Sequence, residues 1–107
     1  MDEVRAETTL LAPPAYNRFQ GGFSHIFAGG YGAGYYSYLW AEVLACDAWD
    51  VFEFEGALNV ATGRRYRESI LEVGGSRTMR ESFQAFVGRM PKIDALLRQR
   101  GLAPALA

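Results

Sequence analysis

Histidine and cysteine are almost absent from this sequence, which contains one of each in 107 residues. The single cysteine, Cys46, cannot form an internal disulfide, which is typical of proteins in a reducing compartment. The single histidine, His25, cannot complete the HExxH motif of zinc hydrolases, which needs two histidines. No serine or cysteine combines with His25 and an orienting acid in a recognisable triad pattern. These residues therefore contain no complete catalytic constellation, and we predict no metal site in them.

A strong net charge and long apolar runs are also lacking. The formal net charge is -1, so neither nucleic acid nor an anionic membrane is predicted as a partner. No apolar run approaches the roughly 20 residues that span a bilayer, and the N-terminus has no signal-peptide pattern. Half of the residues are apolar and 14% are aromatic, which favours a packed chain. We expect one cytoplasmic domain, residues 1–107.

Glycine and tyrosine are instead concentrated in one segment, Phe23–Trp40, which reads FSHIFAGGYGAGYYSYLW. It contains the only histidine and four of the six tyrosines. Its glycines permit backbone angles that other residues avoid, so a loop here can bend tightly and admit a ligand closely: Gly29, Gly30, Gly32 and Gly34. The letters GGYGAG do not spell the dinucleotide motif GxGxxG or a phosphate loop. We interpret the segment as a surface for a polar, extended ligand.

Three side chains of this segment are candidates for ligand contact. His25 can donate to a peptide carbonyl, although a lone histidine is more often a structural hydrogen-bond partner. Tyr31 is expected in the loop and Tyr38 one turn into the next helix, with both hydroxyls on the concave side. A phenol can stabilise the oxyanion that forms when a nucleophile adds to a carbonyl. The alternative is that these aromatic residues only pack, and for Tyr36 and Trp40 we expect a place in the core.

The pattern of apolar residues predicts an all-α fold with one long, aromatic-rich helix after the glycine-rich loop. That helix is predicted from Gly34 to Phe54, with Cys46 buried in it. A helix over Asp2–Leu11 is expected to stop at the prolines that follow. Phe23–Phe27 alternates like a short extended piece. We expect the tail, Leu102–Ala107, to be frayed.

About three shorter helices are predicted to pack on the long one. The first begins at an N-cap, Asn59, and ends at Gly74. The second begins with a capping box formed by Thr78 and Glu81 and ends at Gly88. The third has Pro91 in its first turn and Gly101 after it, with its apolar side chains inward: Ile93, Leu96 and Leu97. The arginines between residues 64 and 89 alternate with glutamates and are interpreted as solvated helix faces.

The residues FSHIFAGGYGAGYYSYLWAEVLACDAWDVFE resemble the C-terminal portion of the M3 zinc metallopeptidases, the thimet oligopeptidase family, and within it the bacterial oligopeptidase A and peptidyl-dipeptidase group. The later segments TGRRYRESIL, FQAFVGRMP and IDALLRQRGL are similar to the end of those enzymes, so the resemblance covers nearly the whole chain. It implies a mainly helical, two-lobed peptidase whose deep channel admits short peptides. In that family the glycine-rich loop lines the channel opposite the zinc.

The resemblance also implies roles for individual residues. His25 matches a histidine that contacts the substrate backbone, and Tyr31 matches a tyrosine that binds substrate. Tyr38 matches the tyrosine that supports the tetrahedral intermediate. Tyr35 falls on a further family tyrosine and is expected, with Gly29 and Gly30, to belong to the substrate-binding wall.

One departure from the family is large, because its HExxH helix and the third zinc ligand, a glutamate, precede the region matched here. We therefore expect a C-terminal substrate-binding part that lacks the zinc-binding lobe and is inactive alone, with zinc in the full-length enzyme. Its expected partners are short peptides and either the missing catalytic lobe or a second copy, through exposed apolar surface. Two alternatives stay open: a free-standing helical module that binds peptides or proteins, and a plain helical domain whose glycines and tyrosines only pack.

Overall fold

The computed structural model describes residues 1–103, and those residues form helices and turns without any strand. The all-α prediction is therefore confirmed. Contacts divide the chain into two units, Met1–Tyr35 and Tyr36–Ala107, which are described separately below. Of the predicted tail, residues 104–107 lie outside the described part. No helix within residues 1–103 is long and apolar enough to cross a membrane.

The first unit contains three short helices, α1 (Asp2–Thr8), α2 (Phe19–Gly22) and α3 (Ser24–Phe27), and a 3-10 turn, Gly32–Gly34. Helix α1 ends three residues earlier than predicted, with Thr9 already extended. The prediction of an extended piece at Phe23–Phe27 is wrong. The amides of Ala28 and Gly29 both donate to the carbonyl of Ser24 and close a helical turn there. Alternation over five residues is too short a pattern to separate a strand from one turn of helix.

The second unit is built on the long helix α4 (Ser37–Glu55), which begins three residues later than predicted. It ends at Gly56, whose φ of 105° lies in a region that favours glycine. Helix α5 (Val60–Tyr66) follows and continues into a π-helical turn, Arg67–Leu71. Helices α6 (Met79–Val87) and α7 (Asp94–Gln99) complete the unit. The prediction of one long helix with about three shorter ones describes this unit well.

The helix boundaries predicted at Asn59, Thr78 and Gly88 are confirmed, whereas the helical residues after Asn59 end at Leu71, before the predicted end at Gly74. The side chain of Asn59 accepts hydrogen bonds from the amides of Ala61 and Thr62 at the start of α5. Thr78 and Glu81 form the reciprocal capping box of α6, and that helix ends at Gly88 in the left-handed conformation. Pro91 lies before α7 rather than in its first turn.

Two small apolar clusters form the core of the second unit, both against α4 from Val43 onward. In one, Phe83 and Phe86 of α6 pack with Ala48, and partly buried residues of α4, α5, α6 and the π-helical turn surround them: Leu44, Val51, Phe52, Tyr66, Ile70 and Val87. In the other, Cys46 packs with Ala95 and Leu96 of α7. The predicted burial of Cys46 is confirmed, at 8% exposed.

A buried carboxylate joins α4 to the segment between α6 and α7. Asp47 is 1% exposed, and the guanidinium of Arg89 donates to its two oxygens at 2.7 and 2.6 Å. The amide of Lys92 donates to the same carboxylate at 2.8 Å. Burial by itself raises the pKa of Asp47, but these hydrogen bonds outweigh it and hold the pKa below its ordinary value. The prediction that Arg89 lies on a solvated helix face is wrong, because Arg89 follows the end of α6 and its guanidinium pairs with the buried Asp47.

The predicted core places of three side chains are also wrong. Tyr36 is 73% exposed, Trp40 is 64% exposed and Ile93 is 53% exposed. The apolar arc of α4 is wider than the surface that α6 and α7 cover, since the residues of α4 in the two core clusters begin at Val43. The N-terminal half of α4 therefore presents aromatic and aliphatic side chains at the surface.

Candidate functional site

A cluster of aromatic rings in the first unit contains three of the predicted site residues. The ring centroid of His25 lies 5.9 Å from that of Tyr31 and 5.9 Å from that of Tyr35. The two tyrosine rings are 6.3 Å apart and perpendicular, a favourable arrangement for aromatic pairs. His25 and Tyr31 are at the surface, and Tyr35 is half-buried. The structure thus brings together an imidazole and two phenols with solvent access.

Phe23 orients this cluster from one side. Its ring meets Tyr35 edge-on at 4.6 Å and lies 6.1 Å from the ring of His25, while Phe19 packs on it at 4.7 Å. The sequence interpretation did not assign Phe23 to the site. The sequence feature that could have identified Phe23 is its position two residues before His25. The alternation in Phe23–Phe27 instead predicts an extended segment. With the helical turn of α3 in its place, Phe23 is the apolar support of the imidazole.

The loop after α3 is wound closely around His25. The amide of Gly29 donates to the carbonyl of Ser24 at 2.9 Å, and the amide of Tyr31 donates to the carbonyl of His25 at 3.4 Å. A Cβ on Gly29 would lie 2.6 Å from the His25 carbonyl oxygen, which is too close for any side chain. Gly30 has a φ of 77°, a conformation that other residues rarely adopt. Both glycines are therefore needed for the path that leads from His25 to Tyr31.

Replacing Gly29 with alanine is expected to displace the backbone of His25, because the new methyl group would meet the carbonyl oxygen of that residue. Forcing an extra methyl into such a contact costs about 1–3 kcal/mol. The His25 and Tyr31 ring resonances in a two-dimensional NMR spectrum should move. Gly34→Ala is the matched control, since no atom lies within 4 Å of its Cβ position. If the His25 and Tyr31 ring resonances move no further in Gly29→Ala than in Gly34→Ala, the described conformation of the loop is contradicted.

Tyr38, the fourth predicted side chain, belongs to the second unit. It is the second residue of α4 and is 46% exposed. Tyr31 precedes the 3-10 turn and is not helical, as expected for a loop residue. The predicted convergence of the hydroxyls of Tyr31 and Tyr38 stays a prediction.

The described residues do not fit a zinc ion. No group of three histidine, cysteine, aspartate or glutamate side chains within residues 1–103 is arranged to hold a metal. The carboxylates with lowered pKa values are engaged in structural contacts: Asp47 with Arg89, Glu55 with Arg65 and Thr62, and Glu81 with Thr78. Burial raises the pKa of the Cys46 thiol, which donates to Gln99 at 3.2 Å and is not a candidate nucleophile.

One hollow in the first unit is lined by none of the residues of the ring cluster. It is an open depression of about 860 Å³ formed by residues between 1 and 20. Its two arginines are turned to nearby acceptors, Arg5 to the side chain of Asn17 and Arg18 to the carbonyl of Ala15. None of the predicted site residues lines it, so size alone does not identify the functional surface.

Comparison with known proteins gives matches over most of this chain. The profile of peptidase family M3 matches residues 1–102. Oligopeptidase A of Salmonella typhimurium is 49% identical over 100 residues, which are 94% of this chain and 15% of that protein. Probable cytosolic oligopeptidase A of Arabidopsis thaliana is 46% identical over 108 residues, 97% of this chain and 15% of that protein. Dipeptidyl carboxypeptidase of Escherichia coli is 43% identical over 90 residues, 84% of this chain and 13% of that protein. The chain spans about one seventh of the length of these relatives.

Proposed function

This chain belongs to peptidase family M3, a family of zinc metallopeptidases, and from that membership we propose that it is the substrate-binding C-terminal part of an oligopeptidase that cleaves short peptides. The observation that carries the proposal is the ring cluster of His25, Tyr31 and Tyr35. The loop that connects His25 to Tyr31 requires glycine at positions 29 and 30. A cytoplasmic location is proposed with it, because relatives include a protein described as cytosolic.

An extended peptide offers a row of backbone carbonyls and amides, and the cluster offers matching groups. The imidazole of His25 can donate to a carbonyl or accept from an amide, and each phenol can do the same. Gly29 and Gly30 add no side chain, so a peptide backbone can approach the loop closely. The perpendicular packing of the rings fixes these groups before the ligand arrives, which reduces the entropy lost on binding.

Tyr38 is proposed as the residue of this chain that takes part in catalysis. Its hydroxyl would donate to the oxyanion that forms when a nucleophile adds to the scissile carbonyl. A preorganised donor of this kind stabilises the transition state more than the ground state. Its 46% exposure leaves the phenol accessible on α4 for that contact.

The proposal predicts that the 107-residue chain has no peptidase activity by itself. No residue cluster within residues 1–103 is suited to hold the family's metal, so the pure chain should not hydrolyse a quenched fluorescent peptide, even with zinc added. Oligopeptidase A of Salmonella typhimurium serves as the positive control in the same assay. Hydrolysis by the pure chain, retained after removal of trace proteases, would overturn the proposal.

A second candidate function is a free-standing helical module that binds peptides. It is favoured by one observation: the ring contacts of His25 with Phe23, Tyr31 and Tyr35 lie within Met1–Tyr35. The two functions differ in the affinity of the isolated chain. Saturable peptide binding that weakens in His25→Ala or Tyr38→Phe favours the module, whereas binding only after the rest of a family-length enzyme is supplied favours the peptidase part.

A further inference from the structure

A groove in the second unit is lined by apolar side chains that the proposed peptide site does not use. One wall is the N-terminal half of α4 with the residue before it, Tyr36; here Tyr36, Leu39 and Trp40 are 73, 52 and 64% exposed. The other wall is the segment before α7, with Pro91 and with Ile93, which is 53% exposed. The groove has a volume of about 400 Å³.

The floor of the groove continues into the core. Val43 and Leu96 line the groove, and both belong to the apolar cluster around Cys46 and Ala95. An apolar stripe at steps of three and four residues along a helix is normally covered by a packing partner. In the second unit, the two core clusters include residues of α4 only from Val43 onward. Exposed apolar patches that are continuous with a core mark interaction surfaces.

The groove is also held in shape before any partner binds. The carboxylate of Asp47, on α4, accepts hydrogen bonds from the guanidinium of Arg89 and from the amide of Lys92. These contacts fix the chain immediately before Ile93 at a set distance from α4. Rigid walls reduce the ordering cost of association.

The length of polypeptide outside this chain indicates the occupant. The match covers 94% of this chain and 15% of the Salmonella relative, so most of that protein lies outside the matched part. From Tyr36 to Leu44 the wall of α4 is roughly 12 Å long, about two turns of a helix that lies along it. Lys92 is exposed at the rim and favours an acidic side chain beside the apolar stripe of the occupant.

We propose that this groove is the seat of an apolar helix, with a flanking acidic residue, from the larger remaining part of an M3 peptidase. The inference rests on the proposed function, because it takes the occupant from a family-length enzyme. The groove joins the two parts of the enzyme, whereas the ring cluster contacts peptide.

Thiol labelling tests the proposal in two settings. Leu39→Cys is introduced into the 107-residue chain and into a chimera in which the chain replaces the matching segment of the Salmonella enzyme. Maleimide should label the new thiol quickly in the chain alone and at least about tenfold more slowly in the chimera, because a seated helix excludes the reagent. Mass spectrometry separates this thiol from Cys46, which is buried. Glu68→Cys, at an exposed position outside the groove, is the control and should be labelled quickly in both.

Each outcome decides a separate claim. Equal labelling of Leu39→Cys in the two settings overturns the docking proposal, even when the chimera cleaves peptides and the proposed function stands. Protection in a folded chimera that cleaves nothing supports the docking seat and overturns the proposed function. Concentration-dependent protection in the chain alone, with a dimer in light scattering, shows that a second copy occupies the groove and overturns the assigned occupant.

Discussion

Replacing Asp47 with alanine should lower the free energy of unfolding of the chain by about 3 kcal/mol, the lower end of the range for breaking a buried ion pair. The substitution removes the acceptor of both Arg89 and the Lys92 amide. The lower end applies because Arg89 is 37% exposed and water can solvate it when its partner is lost. Urea denaturation followed by circular dichroism measures the difference.

The control for Asp47→Ala is Glu68→Ala. Glu68 also pairs with an arginine, Arg67, but at 3.8 Å and with both side chains more than half exposed. Exposed pairs of this kind contribute about 0–1 kcal/mol. A similar loss in both variants would contradict the structural role given to the Asp47 contacts.

The carboxylate of Asp47 should also make the free energy of unfolding decrease at acidic pH. The pKa of Asp47 in the folded chain lies below its ordinary value of 3.8. Its stabilising contribution is therefore fully present above that ordinary value and is lost as the pH falls through the lower, folded pKa. Urea midpoints measured from neutral pH downward should fall more steeply below pH 3.8 in the wild type than in Asp47→Asn. Parallel curves would show that another group is responsible.

The second large effect is expected from Tyr38→Phe in the chimera with the Salmonella enzyme. Loss of one oxyanion donor lowers kcat by about 10²–10³-fold. KM should change much less, since the contact forms chiefly in the transition state. Initial rates on a short quenched peptide over a range of concentrations separate the two constants.

Tyr16→Phe is the matched control for this substitution. Tyr16 also loses only a hydroxyl, is 83% exposed and has no assigned role in the site. Its kcat should equal that of the unsubstituted chimera. An unchanged kcat in Tyr38→Phe would contradict a catalytic role for Tyr38. It would favour the alternative that the tyrosines of this segment only pack.

Local features of this fold could be predicted from the sequence because neighbouring residues determine them. Asn59 and the pair Thr78 and Glu81 cap helices through hydrogen bonds within three residues, and both caps are present. Gly88 ends α6 in the left-handed conformation for the same local reason. The burial of Cys46 followed from its place in an apolar stretch of the long helix.

Tertiary features could not be predicted in the same way. The apolar pattern of α4 does not say how many partner helices cover it, so Tyr36 and Trp40 were wrongly placed in the core. The contact of Asp47 with Arg89 spans 42 residues and leaves no periodic signal.

For the candidate site, the sequence proposes the residues and the structure adds their arrangement. His25, Tyr31 and Tyr35 were named from their types and from a family resemblance, and their rings lie within about 6 Å of one another. The support from Phe23 was missed because a five-residue alternation was interpreted as extended. The close approach of Gly29 to the His25 carbonyl depends on backbone geometry that composition does not contain.

The most direct test of the central claim is the kcat/KM of the unsubstituted chimera on a short peptide. If this chain is the substrate-binding part of an M3 oligopeptidase, it should replace the matching segment of the Salmonella enzyme and retain kcat/KM within about tenfold, a loss of about 1.4 kcal/mol in transition-state stabilisation. A chimera that folds and contains its zinc but does not cleave the peptide would contradict the claim.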